Sequence, residues 1–411
     1  MKVKVRNLQL WAFCAYMFGI SVSYISPRLE SFFSLMMYTF ILVSVVGAFK
    51  QKNLVVEGHL KHYFIFFVFC ILSLIYAPSK SSAFGALYQV IICLVFSFCI
   101  HQLRCSKQDV ELIGKVYISG IAVLFTYLLL TGRLSTTELR FGGELTGNAN
   151  TFAMLIMIGT FFSSYFILTG RGSNRIIGWI CFAMQMYLLV LSGGRKFPAI
   201  GLIVFLIMYL FSHRSRTSRP FFRRIIISAL IIVLAYWAVL NVPFLYEHIG
   251  YRFETMFSSR SGVQQEASAL IRARMRIYGI QKWTASPIWG YGLSSFITIS
   301  GFDMYSHNNY IELLFSGGII LFVAYYYYSI KMLLSMRKEF SRDSVQLLFG
   351  SIIIGLFLFD YGAVTYNMVM TQVLISMLSS YYVTQVLGLT TNKTRDVYYG
   401  QNIDVYKPTE E

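Results

Sequence analysis

Charge is what this 411-residue chain has least of. Asp, Glu, Lys and Arg make up 13% of it, about half of the roughly 25% found in soluble proteins. So few charged side chains cannot cover a globular surface, which excludes a soluble enzyme. Cysteine is also sparse, with six residues and no C-x-x-C pair, so a disulfide scaffold and a thiolate metal or redox centre have no support. No Gln/Asn-rich, Pro-rich or Gly/Ser-rich tract and no evident internal repeat occurs, which excludes disordered and collagen-like chains. There is no G-x-x-x-x-G-K-[ST] phosphate loop and no D-x-D pair among the acidic residues placed outside below. Neither a nucleotide cofactor nor a metal is therefore expected.

What fills the chain is apolar. Hydrophobic residues account for 56% and the 30 glycines add about 7%. That total of roughly 63% compares with about 45–50% for a soluble protein. A polytopic membrane protein follows. The net charge of +17 would suggest nucleic acid in a soluble chain. In a membrane chain it reads as the Lys/Arg excess of inner loops lying against anionic lipid, so the bilayer is the expected partner and nucleic acid is not.

A span needs about 20 mostly apolar residues. Apolar runs between polar breaks predict about twelve transmembrane helices, at 8–25, 32–49, 60–77, 83–102, 110–130, 150–168, 176–191, 198–211, 225–240, 310–330, 345–360 and 368–387. The organisation is then nine spans over 1–240, a large outer loop over 241–305, three spans over 306–388 and an inner tail over 389–411. With both termini inside, the inner side holds 23 of the 35 Lys and Arg, including Arg214, Arg216, Arg219, Arg223 and Arg224 in one loop. This agrees with the positive-inside rule. All six cysteines fall in spans or an inner loop, as small apolar filler would. The loop over 241–305 exceeds the 12–15 residues or so beyond which loops are functional or disordered. Its Trp/Pro/Gly-rich stretch from Trp283 to Phe296 predicts a folded cap over the outer mouth.

Four groups of residues at that mouth carry chemistry. His307 stands in Ser306-His307-Asn308-Asn309-Tyr310-Ile311-Glu312, where the chain re-enters the membrane. A neutral imidazole there suits a general base; a helix-capping His is the alternative. Arg272 and Arg276 lie one turn apart on a predicted helix, with Gly279 and Trp283 on the same face. They suit a phosphate clamp, or a basic helix resting on lipid headgroups. Arg195, in the outer turn Ser192-Gly193-Gly194-Arg195-Lys196, departs from the positive-inside bias and suggests an anion, with snorkelling as the alternative. Arg140, before Asn148-Ala149-Asn150, is a weaker case of the same kind, and the two asparagines suit a helix cap.

The arrangement resembles the O-antigen ligase/polymerase superfamily, the Wzy-type polysaccharide polymerases and their ligase relatives. That family's Arg, a Gly seven residues on and Pro-x-x-Gly-x-Gly is matched by Arg272, Gly279 and Pro287-Ile-Trp-Gly290-Tyr-Gly292. Its His-Asn-x-Tyr stretch with a following Gly is matched by His307, Asn309, Tyr310 and Gly317-Gly318. Its Ser-(Gly)-Arg turn is matched at Arg195, with Gly194 where Ser is common, and its Asn-Pro-Asn departs at Ala149. The motifs cover roughly residues 140–320. The resemblance implies an all-α, GT-C-like fold with a helical extracytoplasmic loop, in a bacterial inner membrane. It implies an undecaprenyl-diphosphate-linked oligosaccharide donor used without metal or cofactor, and a flippase and chain-length regulator as pathway partners. It gives His307, Arg272 and Arg195 catalytic roles and Arg276, Arg140, Asn309 and Tyr310 diphosphate or sugar contacts. Within it, polymerase is the preferred reading and ligase the alternative. A transporter or flippase of lipid-linked oligosaccharide is the reading from another class, but such proteins keep ionisable groups near the bilayer midplane, and here the span centres are almost uncharged.

Overall fold

The computed structural model of the chain describes residues 2–50, 54–134, 140–212, 218–251, 254, 267–337, 340 and 342–388. Arg214, Arg216, the Arg219 side chain and the 389–411 tail lie outside the described residues. Fourteen helices organise the rest: α1 (Lys2–Val22), α2 (Pro27–Lys50), α3 (His59–Ser73), α4 (Lys80–Leu103), α5 (Lys107–Leu130), α6 (Ala149–Thr169), α7 (Ser173–Leu191), α8 (Lys196–Phe211), α9 (Ser218–Asn241), α10 (Ala267–Trp283), α11 (Ser295–Ile299), α12 (Asn309–Met336), α13 (Ser344–Asp360) and α14 (Val369–Tyr381). No strand occurs among the described residues. All but α10 and α11 coincide with the twelve apolar segments. Eight are long and apolar enough to cross a bilayer, and α3, α8 and α13 are apolar but shorter. The protein is an all-helical, polytopic membrane protein.

Burial falls outward from α6, of whose most apolar window 89% is buried, to α9, with 6%. Small residues let the inner helices close on α6. A Cβ on Gly201 of α8 would stand 2.8 Å from Thr160 Oγ1, and one on Gly178 of α7 would stand 3.0 Å from the Ile167 nitrogen. Outside, Phe49, Leu130 and Trp237 are exposed by 87%, 80% and 58%. Apolar surface on that scale needs hydrocarbon against it. All six cysteines are buried and free.

The alternating helices gather their connections at two ends. One end holds Arg6 against Asp109, the Ser106–Asp109 capping box that starts α5, and Tyr381 on Asp343 (2.8 Å). The other end, the mouth, joins Tyr76 to the Trp289 carbonyl (2.8 Å), the Phe141 amide to the Leu191 carbonyl (3.1 Å) and Asn308 to the Tyr361 carbonyl (3.1 Å).

Residues 310–330 read as one uninterrupted span, but α12 is broken at Gly317 and Gly318. Gly318 has φ 62° and ψ −158°, a conformation open in practice only to glycine. The break strips helical partners from nearby backbone groups, and the segment after α10 supplies them. The Tyr291 amide donates to Phe315 O (2.8 Å), the Gly292 amide to Ser316 O (2.8 Å), and the Ile319 amide to Pro287 O (2.9 Å). The contact is backbone to backbone: a Cβ on Gly318 would lie 2.1 Å from Ile288 O, and one on Gly290 would lie 2.5 Å from Phe315 O. The Pro-x-x-Gly-x-Gly stretch is therefore a plug seated in a broken membrane helix, which is why it is folded.

Candidate active site

The mouth is built around the turn that leads into α12. The Ser306 amide donates to buried Glu312 Oε2 (2.9 Å), the Ser306 hydroxyl donates to Asn308 O (2.9 Å), and Asn308 Oδ1 caps the helix by accepting from the Ile311 amide (3.1 Å). His307, caught between these bonds, has φ 54°. Histidine enters this left-handed region more readily than bulky or β-branched residues, and the bonds on either side hold it there. Its ring stays half-buried, with the Tyr305 ring centroid 4.3 Å away. Asn308, not His307, is the cap, so the capping alternative falls to the neighbouring residue.

Asn309 and Tyr310 turn their polar atoms inward. Asn309 is fully buried. Its Oδ1 accepts from the Thr365 and Tyr366 amides (2.9 and 3.0 Å), and its Nδ2 donates to the Tyr326 hydroxyl (2.8 Å). Tyr326 in turn donates to Asp360 Oδ2 (2.6 Å), and the Thr365 hydroxyl donates to Asp360 Oδ1. The Tyr310 hydroxyl donates to Phe357 O (2.6 Å). These bonds lock the 361–366 connection onto the first turn of α12. Asp360, the last residue of α13, is buried to 2% exposure inside this network.

Two elements bring cations to His307. Helix α10 docks on α12 where a Cβ on Gly279 would stand 2.3 Å from Ile311 Cγ2, and buried Met275 seats the turn before it. Arg272 and Arg276 flank that seat, both half-buried, with the Arg276 guanidinium 5.2 Å from the Tyr361 ring centroid. Helix α8 begins with Lys196, whose Nζ donates to Gly362 O (2.5 Å) and lies 4.4 Å from the Phe359 ring centroid. Arg272 and Asp360 both act electrostatically on Lys196, and Arg272 also acts on Tyr305. Burial first, then the charges of Arg272 and Lys196, lower His307 from its ordinary value near 6.5 to about 4. The imidazole is thus neutral at neutral pH, as a base must be before it accepts a proton.

The expected residues are partly assembled. Arg272, Arg276, Asn309 and Tyr310 surround or support His307, while Arg195 is half-buried beside Lys196. Arg140 is exposed; its neighbour Phe141 binds the end of α7, and no hydrogen bond joins Arg140 to the described residues of the cluster. Lys196 and Asp360 were missed. The available signals were two adjacent cations in an outer turn, and a carboxylate ending an otherwise apolar span. The two departures from the family pattern have physical counterparts. A Cβ at Gly194 would stand 2.5 Å from the Phe197 ring, so that ring occupies the space a serine needs. Asn148 caps α6, accepting from the Asn150 amide (2.8 Å), and Ala149 holds the first helical position, where proline would be equally at home. Among the described residues no three His, Cys, Asp or Glu side chains are grouped as a metal site.

Residues 179–326 match the family model Wzy_C, O-Antigen ligase, in agreement with the resemblance to the O-antigen ligase/polymerase superfamily. The matched stretch runs from α7 to the middle of α12 and contains Arg195, Lys196, Arg272, Arg276 and His307; Arg140 and Asp360 lie outside it. No curated protein matches the chain. The match supports a function of the O-antigen ligase/polymerase type, on lipid-linked oligosaccharide in a membrane.

Proposed function

We propose that the protein is a polysaccharide polymerase. It joins undecaprenyl-diphosphate-linked repeat units by inverting glycosyl transfer at the outer face of a bacterial inner membrane. The observation that carries this reading is the convergence of Arg272 and Lys196 on a half-buried, neutral His307 at one end of an apolar helix bundle. With twelve spans and both termini cytoplasmic, that end faces outward, in keeping with the Lys/Arg distribution.

In the reaction an acceptor sugar hydroxyl attacks the anomeric carbon of the donor. The new C–O bond forms as the bond from that carbon to the diphosphate oxygen breaks, and the electron pair leaves with the diphosphate. Arg272 and Arg195, with Arg276, stabilise that charge, each contact contributing on the order of 3–4 kcal/mol to the barrier. His307 takes the hydroxyl proton, for an effect of roughly 10²–10⁴-fold. Asn309 and Tyr310 act by holding the turn and the 361–366 connection, and Arg140 guides substrate at the rim. No metal or cofactor takes part. The apolar spans receive the polyprenyl tails.

The description of the matching family model favours one further reading, a ligase that moves the finished glycan to a lipid A core sugar or a protein with the same cations and the same histidine. The acceptor separates the two. Purified protein in detergent is given one lipid-linked repeat unit, no nucleotide sugar, and EDTA. A ladder of multiples is the expected product. Transfer that needs an added lipid A core acceptor would make the protein a ligase, and no transfer under either condition would overturn both readings.

A further inference from the structure

Two tyrosines at the mouth keep their rings in the open, Tyr305 at 44% exposure and Tyr361 at 58%. Both are held in place. Phe302 packs on the Phe296 and Tyr278 rings (centroids 6.3 and 6.0 Å), and Ser306 is buried. The short stretch between these anchors presents Tyr305 outward, with its ring centroid 4.3 Å from that of His307. Tyr361 follows the last residue of α13 and is fixed from two other helices. Asn308, the residue after His307, donates through Nδ2 to the Tyr361 carbonyl (3.1 Å). The Arg276 guanidinium lies 5.2 Å from the Tyr361 ring centroid. From α8, Lys196 Nζ holds the next carbonyl, that of Gly362 (2.5 Å).

The hydroxyls of these two rings set them apart from their neighbours. Tyr278, Tyr291 and Tyr310 donate theirs to the carbonyls of Ile299, Lys282 and Phe357 (3.1, 2.8 and 2.6 Å). Among the described residues neither the Tyr305 nor the Tyr361 hydroxyl has a hydrogen-bond partner. An open aromatic face beside an uncommitted hydroxyl matches a sugar ring, which offers C–H groups on one face and hydroxyls around its edge. A ring of the interfacial aromatic belt would face the lipid headgroups, whereas Tyr305 rests on His307 and Tyr361 on Arg276. We propose that Tyr305 and Tyr361 form the platform for the sugars of the lipid-linked substrate, one ring on each side of the His307-Asn308 turn. This rests on the polymerase or ligase reading above and adds which residues read the glycan.

The platform divides the work of the mouth. The cations serve the diphosphate, and the two uncharged rings serve the glycan, which the cations cannot distinguish. Neither tyrosine takes part in the proton transfer. Tyr305 positions a sugar against the imidazole that receives the hydroxyl proton, and such placement is worth most when the reacting atoms stand about 3–3.5 Å apart. The two hydroxyls also select. A site built to hydrogen-bond a substrate hydroxyl rejects an analogue that lacks it far more strongly than an apolar pocket rejects one methylene. Tyr305 lies inside the stretch that matches the family model and Tyr361 lies beyond it, so the platform joins the matched segment to the 361–366 connection.

The test uses the full chain in detergent and two probes, the repeat-unit oligosaccharide freed of its lipid and farnesyl diphosphate, which carries no sugar. Nitration of tyrosine by tetranitromethane is read peptide by peptide by mass spectrometry. The oligosaccharide should protect Tyr305 and Tyr361 and leave Tyr251, exposed by 54% beyond α9, as reactive as before. In calorimetry, Tyr305→Ala and Tyr361→Ala should each weaken oligosaccharide binding about three- to tenfold, and farnesyl diphosphate binding less than about twofold. Tyr361→Phe, which keeps the ring and loses the hydroxyl, should fall between Tyr361→Ala and the wild type. Either ring left unprotected would overturn the platform, and so would farnesyl diphosphate affinity that falls as far as oligosaccharide affinity. A ladder from the wild type in the lipid-linked repeat-unit assay would then leave the proposed reaction standing, and no transfer with either acceptor would overturn that as well. Protection is measured on the wild-type protein, so it decides the matter even where a variant fails to fold.

Discussion

Gly318→Ala tests whether the plug in α12 is what positions the cations, because it removes no functional group. Gly318 has φ 62° and ψ −158°, and strain of that kind in a residue with a Cβ costs about 1–3 kcal/mol. The new Cβ would stand 2.1 Å from Ile288 O and 2.7 Å from the Trp289 nitrogen, so the plug must withdraw. Withdrawal forfeits the three backbone bonds from Tyr291, Gly292 and Ile319, at roughly 0.5–1.5 kcal/mol each. Together these terms set about 3–7 kcal/mol against the docked loop. Trp283 Nε1 donates to Pro287 O (3.1 Å), so a displaced plug also loosens the end of the helix that carries Arg272 and Arg276. A misplacement of about 1 Å in a catalytic group costs on the order of 100-fold, and kcat/KM should fall at least that far. Amide exchange at Tyr291, Gly292 and Ile319 should rise while the rest of the bundle stays protected. Gly132→Ala is the control, since Gly132 has φ 67° with nothing within 4 Å of its Cβ position; it should cost about 1–2 kcal/mol of local strain with little change in turnover. Equal turnover and equal exchange in the two variants would refute the positioning role of the plug.

Four further outcomes follow from the same geometry. His307→Ala should lower kcat by roughly 10²–10⁴-fold with the fold retained; turnover at the wild-type rate in the lipid-linked repeat-unit assay would remove His307 from the mechanism. Arg272→Ala should cost on the order of 10²–10³-fold in kcat, as loss of one charge-stabilising contact does, measured in the same assay. The pH profile carries a definite sign. His307 at about 4 in the empty site is neutral, and active as a base, above that value, so kcat/KM, which reports the free enzyme, should stay level from pH 8 to about pH 5. An acid limb at the ordinary imidazole value of about 6.5 would count against this assignment. Asn309→Ala leaves the Thr365 and Tyr366 amides buried without their acceptor, at about 1–3 kcal/mol each, and should lower the thermal midpoint in detergent measurably. An unchanged midpoint would mean that the 361–366 connection is held by something other than Asn309.

The sequence by itself determined the class of the molecule and the order of its parts. Span length and the scarcity of charge are local properties, since each helix must satisfy its own backbone in hydrocarbon. The twelve apolar segments therefore coincide with helices although nothing about their packing was known. The basic helix with Arg272 and Arg276 and the turn with His307 were legible for a related reason: their spacing lies within a single element. What only the tertiary structure decided is which charges share a space. Lys196 and His307 are 111 positions apart in the chain, and no periodicity links the start of α8 to the turn before α12. The break in α12 is equally non-local. Gly317-Gly318 in an apolar run reads as an ordinary part of a span until another backbone, the one carrying Gly290 and Gly292, comes close enough to satisfy the groups it exposes. The burial of Asp360 is non-local too, because a sequence records only where a carboxylate falls along the chain. Tyr326, Thr365 and Asn309 surround it in space, and those hydrogen bonds are what allow a carboxylate to be buried in a membrane protein.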